Sequence, residues 1–168
     1  MSGDLPERKH PRLKNYDYSQ NGAYFITVCA YQKQKIFSSI SSDPNGEAFG
    51  TLSIFGQIAK EQIEELQSRY PGIVVDKYVI MPNHIHAIIV IDNFSVTAGA
   101  SPCPTLSDII CSFKSVATLY CKRCRDTDKI FQDSFYDHII HGKKDYEEIW
   151  NYIENNPQKW KTDSLYSD

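Results

Sequence analysis

The chain has 168 residues, 41% of them hydrophobic, which suits one domain spanning 1–168 with a sizeable core. No apolar run is long enough to cross a bilayer, and the opening stretch "MSGDLPERKHPRLKNYDYSQ" lacks the apolar core of a signal peptide, so a cytoplasmic protein with no membrane contact is expected. Eighteen Lys and Arg against twenty-one Asp and Glu give a formal net charge of −3, which argues against a protein that coats nucleic acid through charge alone.

In chain order, "AYFITVCAY" at 23–31 is rich in β-branched and aromatic residues and follows the turn signal "SQNG", which predicts a first strand. Phe55, Ala59, Ile63, Leu66 and Tyr70 recur at helical spacing, and Pro71 and Gly72 end that helix. "IVVDKYVIM" at 73–81 predicts a second strand. Only Pro82 and Asn83 separate it from the next, "HIHAIIVI", and so short a connection permits only an antiparallel hairpin. Residues 93–105 are small, Gly- and Pro-containing and aperiodic, and predict a flexible loop. Leu106, Ile109, Ile110, Phe113, Val116, Ala117, Tyr120 and Cys124 then form an amphipathic stripe that "TLSD" can start. "SFYDHII" predicts a weaker last strand, and "KKDYEEIWNYIENNPQKW" a final helix with Tyr146, Ile149, Trp150 and Ile153 inward, stopped by Pro157.

That order predicts an α+β fold: a ferredoxin-like antiparallel sheet with helices on one face and an extra C-terminal helix. The five cysteines are an odd number in a chain without a secretory signal, so reduced thiols are expected, and "CKRC" has no second pair or nearby histidine to complete a zinc site.

Two patterns carry chemistry. His84 and His86 alternate on a strand, project from the same face and can converge on one metal ion, although the pair reads equally as two polar residues of a half-exposed sheet. Tyr152 and Asn156 are four residues apart, one helical turn, with the tyrosine off the apolar stripe. Taken alone they read as a boundary tyrosine wetting its hydroxyl and an asparagine that helps end a helix.

"MPNHIHAIIVI" resembles the signature of the single-tyrosine HUH transposases, where U is a hydrophobic residue between two metal-binding histidines. "LKNYDYSQNGAYFITVCAYQKQKIF", "TLSDIICSFKS" and "FYDHIIHGKKDYEEIWNYIENNPQKW" are similar, in the same order, to segments of the branch that contains the REP-associated tyrosine transposases. The resemblance implies His84, His86 and Asn156 as ligands of a divalent metal, Mg²⁺ or Mn²⁺, and Tyr152 as the catalytic nucleophile, on the extra helix. It implies Arg12, Lys14 and Lys114 as residues facing DNA. One departure stands out: "FQDSFYDH" has Asp133 where the branch carries arginine, and an acid there weakens a phosphate contact.

The implied reaction is attack by Tyr152 on a phosphodiester of single-stranded or hairpin DNA, giving a 5′-phosphotyrosine and a free 3′-OH that can rejoin strands. It implies a prokaryotic, nucleoid-associated protein, compatible with a homodimer. Bond energy kept in the phosphotyrosine removes the need for ATP, consistent with the lack of a Gly-rich phosphate loop. Other readings fit less well. A two-motif HxT phosphodiesterase needs a second copy. A histidine-triad hydrolase needs a third histidine where Ile88 stands, and a zinc deaminase needs glutamate where His86 stands. An RNA-binding ferredoxin-like module needs exposed aromatics in the RNP pattern. The rival from another class is a domesticated relative that binds DNA hairpins without cutting them, which net acidity and Asp133 favour.

Overall fold

The computed structural model describes Leu13 and residues 15–95, 104–127 and 129–167. Arg12 and Lys14, and 96–103 of the expected loop, lie outside the described residues; Asn93–Ser95 forms a single 3₁₀ turn.

The elements are β1 (Gly22–Cys29), β2 (Ser38–Ser42), β3 (Ala48–Leu52), α1 (Ile54–Glu64), α2 (Leu66–Arg69), β4 (Ile73–Ile80), β5 (His84–Ile91), α3 (Leu106–Cys124), β6 (Tyr136–Ile139) and α4 (Gly142–Glu154). Four strands form one antiparallel sheet in the order β4-β5-β1-β6, the ferredoxin-like arrangement expected from the sequence. The unexpected element is the β2–β3 hairpin. Asp43 builds its turn, its Oδ1 accepting from the backbone of Asn45 (2.9 Å) and Glu47 (2.8 Å), with Gly46 at φ 83°. The expected first helix is broken at Glu65 into α1 and α2.

Strand alternation divides the apolar residues between two faces. Tyr24, Ile26 and Val28 of β1 and Ile85, Ala87, Ile89 and Ile91 of β5 pack under α1 and α3 in the main core. Phe25 and Ile88 face the other way and pack with Ile153, Ile149, Trp150 and Tyr146 of α4. The extra helix therefore covers the face opposite the other two. α3 starts at a capping box between Thr105 and Asp108. α1 begins hard against the chain before β2: a Cβ at Gly56 would lie 2.0 Å from the Phe37 carbonyl oxygen, so no other residue fits without moving backbone.

Among the described residues Cys29, Cys111, Cys121 and Cys124 are free thiols, with Cys121 in the core and Cys124 exposed. No helix of these residues is long and apolar enough to cross a membrane.

Candidate metal and tyrosine site

The turn joining β4 to β5 sets the position of both histidines. The Met81 amide donates to His84 O (2.9 Å), and two neighbouring segments pin the turn through Phe37 N to Pro82 O (3.0 Å) and Ala30 N to Asn83 O (2.8 Å). From there alternation sends His84 and His86 to the α4 face, with ring centroids 4.5 Å apart and both rings buried.

The tautomer of His84 follows from its neighbours. The Asn83 amide nitrogen donates to Leu165 O (2.8 Å), which turns its Oδ1 toward His84 Nδ1 at 2.8 Å. An acceptor there requires Nδ1 to carry the proton, leaving a bare lone pair on His84 Nε2. His86 Nδ1 meets the Thr27 hydroxyl at 2.8 Å, and Thr27 stands directly opposite His86 in the β1–β5 register. Polar partners on the outer nitrogens are the arrangement that orients metal-binding imidazoles.

Tyr152, on α4, places its hydroxyl 3.3 Å from His86 Nε2 and 3.3 Å from Asp163 Oδ2, with the ring 38% exposed. Asn156 differs from its expected place: α4 ends at Glu154, and Asn156 sits in the turn beyond, its amide donating to Ile153 O (3.3 Å). This tighter turn keeps it beside the tyrosine, fully buried. Its Nδ2 donates to Asp163 Oδ2 (2.9 Å). His84 Nε2 and Asn156 Oδ1 are buried and have no hydrogen-bond partner among the described residues. Two orphaned acceptors in one buried place are costly unless a cation or a water satisfies them.

Asp163 is the member that sequence reasoning missed. It follows Trp160–Thr162, a 3₁₀ turn whose buried Trp160 lies 5.9 Å (centroid to centroid) from the His84 ring. One ligand atom from each of His84, His86 and Asp163 lies within 4.8 Å of the others, so the three can hold a metal ion.

The electrostatics match this chemistry. Burial lowers the His84 pKa to about 4 against the pull of Asp163, and burial with the His84 charge lowers His86 well below the ordinary range. Both imidazoles are neutral at physiological pH. Burial and the Asp163 charge raise the Tyr152 phenol to about 12, so it is protonated at physiological pH.

Stability should follow. Both folded histidine pKa values lie below the unfolded value of about 6.5, so the unfolded chain binds more protons as pH falls through that value toward 4, and stability is lost in that window. With chelator present, urea unfolding at pH 5 should show about 2–4 kcal/mol less stability than at pH 7.5, from roughly 1.4 kcal/mol per pH unit per histidine. Equal stability at the two pH values would mean that the imidazoles are not buried in neutral form.

The other expected contacts fall differently. The Lys114 ammonium, expected at DNA, is half-buried and donates to the backbone carbonyls of Gln132 and Asp133, the latter at 3.0 Å. Asp133 itself is exposed and pairs with Lys129 at 2.8 Å. Beside the tyrosine lies a cleft of about 440 Å³ whose lining includes Phe25, Thr27, Gln132, Phe135, Tyr136 and Tyr152.

No protein-family model matches the chain. Over 177 aligned residues it is 33% identical to an uncharacterized protein of Haemophilus influenzae, with 98% of this chain and 96% of that one covered. Among solved structures, its fold is similar to that of a REP-associated tyrosine transposase bound to a REP hairpin, with a TM-score of 0.61 and 21% identity over 89% of this chain and 74% of that one.

Proposed function

The chain belongs to the family of the Haemophilus influenzae protein and has the fold of a REP-associated tyrosine transposase, and from that premise we propose that it is a metal-dependent DNA strand transesterase with Tyr152 as nucleophile. The observation that carries the reading is the Tyr152 hydroxyl at 3.3 Å from His86 Nε2, beside two orphaned buried acceptors, His84 Nε2 and Asn156 Oδ1.

His84, His86 and Asn156 hold a divalent ion, Mg²⁺ or Mn²⁺, and Asp163 adds a carboxylate to the set. When bound, the ion supplies positive charge that stabilises the phosphate oxygens of the transition state. The protein's own residues do the rest. Asn83 fixes the His84 tautomer, Thr27 orients the His86 ring, and α4 fixes the phenol against His86. The Tyr152 oxygen forms a bond to phosphorus while the bond to the 3′ oxygen breaks; the half-buried phenol releases its proton to solvent, and the leaving 3′-oxyanion takes one up. Reversal by a 3′-OH rejoins strands without ATP. The substrate is DNA, single-stranded or hairpin, in keeping with the REP hairpin held by the structural neighbour.

The test is incubation with a labelled pool of single-stranded hairpins and Mn²⁺, followed by a denaturing gel. A chelator-sensitive protein–DNA adduct is expected. Hairpin retention without any adduct would leave the second reading, a hairpin-binding relative without cleavage, which the net charge of −3 and the acid at Asp133 favour.

Asp163→Asn gives a separate check on the ligand set. Its amide keeps the size and an oxygen but loses the charge, so Mn²⁺ affinity by calorimetry should fall about 10- to 100-fold, as for other losses around a metal site. An unchanged affinity would remove Asp163 from the ligands and leave it as a partner of Tyr152 alone.

A further inference from the structure

The cleft beside Tyr152 has a chemistry that the transesterase reading does not use. One wall is the Tyr152 ring and His86, where a scissile phosphate would sit. Among the described residues lining it, none is Lys, Arg, Asp or Glu. Away from that wall a phosphate would meet no charged side chain of the lining, which favours a neutral occupant. The walls are aromatic: Phe25 lies 5.1 Å from His86, 6.1 Å from Tyr152 and 6.4 Å from Tyr136, centroid to centroid, and Phe135 closes another side. At about 440 Å³ the space is within the range of small-ligand sites, roughly 300–1,000 Å³.

Gln132 adds an amide to a lining that also carries the hydroxyls of Thr27, Ser134 and Ser164. Its backbone is held at both ends: its amide donates to Cys29 O (3.0 Å) and its carbonyl receives the Lys114 ammonium. Its side-chain amide, half-buried, has no partner among the described residues, and it presents a donor and an acceptor side by side. A flat, neutral heterocycle with paired donors and acceptors on its edge meets all of these conditions.

We propose that this cleft binds the unpaired nucleobase adjacent to the phosphate presented to Tyr152, and that Gln132 reads that base's edge. The proposal rests on the transesterase reading for the position of the phosphate. Stacking on the aromatic wall supplies affinity that every base shares, and the amide of Gln132 supplies the preference among bases. The role of Lys114 changes accordingly: by gripping the 132–133 carbonyls it positions the reading residue.

The experiment uses the full chain carrying Tyr152→Phe, in chelator, so that neither cleavage nor metal is needed. Single-stranded oligonucleotides with 5-iodouracil at successive positions are photo-crosslinked and the peptides identified by mass spectrometry. Crosslinks are expected at Phe25, Phe135 or Tyr136 from one position of the strand, and an abasic site at that position should weaken binding about tenfold or more. Adding Gln132→Ala, on a half-exposed residue and with folding checked by thermal melt, should reduce the preference among the four bases at that position by about tenfold and leave other positions unchanged. Crosslinks confined to other surfaces, an abasic site bound equally well, or no retention of single-stranded DNA would each overturn the proposal. The two readings separate cleanly: crosslinks in the cleft without an adduct in the wild-type protein defeat the transesterase and keep the base site, while an adduct with crosslinks elsewhere does the reverse.

Discussion

Replacing Tyr152 with phenylalanine should abolish covalent capture of DNA, lowering adduct formation by on the order of 10⁴-fold or more, because a nucleophile in covalent catalysis has no substitute. The fold should not notice. The ring contacts with His86, 5.2 Å between centroids, and Phe25, 6.1 Å, are available to a phenyl ring, and the lost hydroxyl's hydrogen bonds to His86 and Asp163 are both long, at 3.3 Å. Unfolding free energy should change by about 1 kcal/mol or less, and hairpin binding by fluorescence anisotropy should stay within a few-fold of wild type. Loss of the adduct with binding intact is therefore specific to chemistry. An adduct that persists at the wild-type rate would place the nucleophile elsewhere in the chain.

The second large effect concerns the metal. Wild-type protein in Mn²⁺ at about 100 times the dissociation constant gains about 2.7 kcal/mol, which in a chain of this length raises the melting temperature by roughly 5–10 °C. In His84→Ala the rise should shrink to about 2 °C or less, since one of two imidazoles and its oriented lone pair are gone. The substitution also empties a fully buried position beside Trp160 and leaves Asn83 Oδ1 without its donor, so the metal-free variant melts lower from the start. Comparing the rise within each protein cancels that baseline. Chelator should return wild type to its metal-free value and leave the variant unmoved; a full rise in the variant would show that the ion binds at another place.

Much of this was legible beforehand for a physical reason. Period-two and period-3.6 patterns survive wherever one face is buried, so β1, β4, β5, α1, α3 and α4 could be read, and the His84–His86 alternation with them. The β2–β3 hairpin could not. "SSISS" and "AFGTL" are short and mostly exposed, so they carry no hydrophobic alternation, and only the Asn45-Gly46 turn marks them. Asp163 was hidden for a different reason. It lies eleven residues past Tyr152, beyond Pro157 and two irregular turns, and its arrival depends on Trp160 packing against His84, a tertiary fact without a period. Asn83 and Thr27 were likewise invisible, because what they do is defined by strand register and turn geometry. The hold of Lys114 on the 132–133 carbonyls was also hidden, because charge alone does not foretell a lysine's backbone contacts.

The division of β5 between its two faces has a practical consequence. Ile85, Ala87, Ile89 and Ile91 build the main core, while His84, His86 and Ile88 look toward α4. Thr27 meets His86 only in the observed pairing of β1 with β5, and a slip of one residue would turn every side chain of the strand to the wrong side. Core and candidate metal site thus stand or fall as one unit, and a compact chain with β5 misaligned would lose the proposed ligand set. On the proposed function, metal stoichiometry becomes an assay of conformational purity: with one Mn²⁺ expected per correctly paired chain, a shortfall at saturation would measure the fraction of molecules whose central strands are paired out of line.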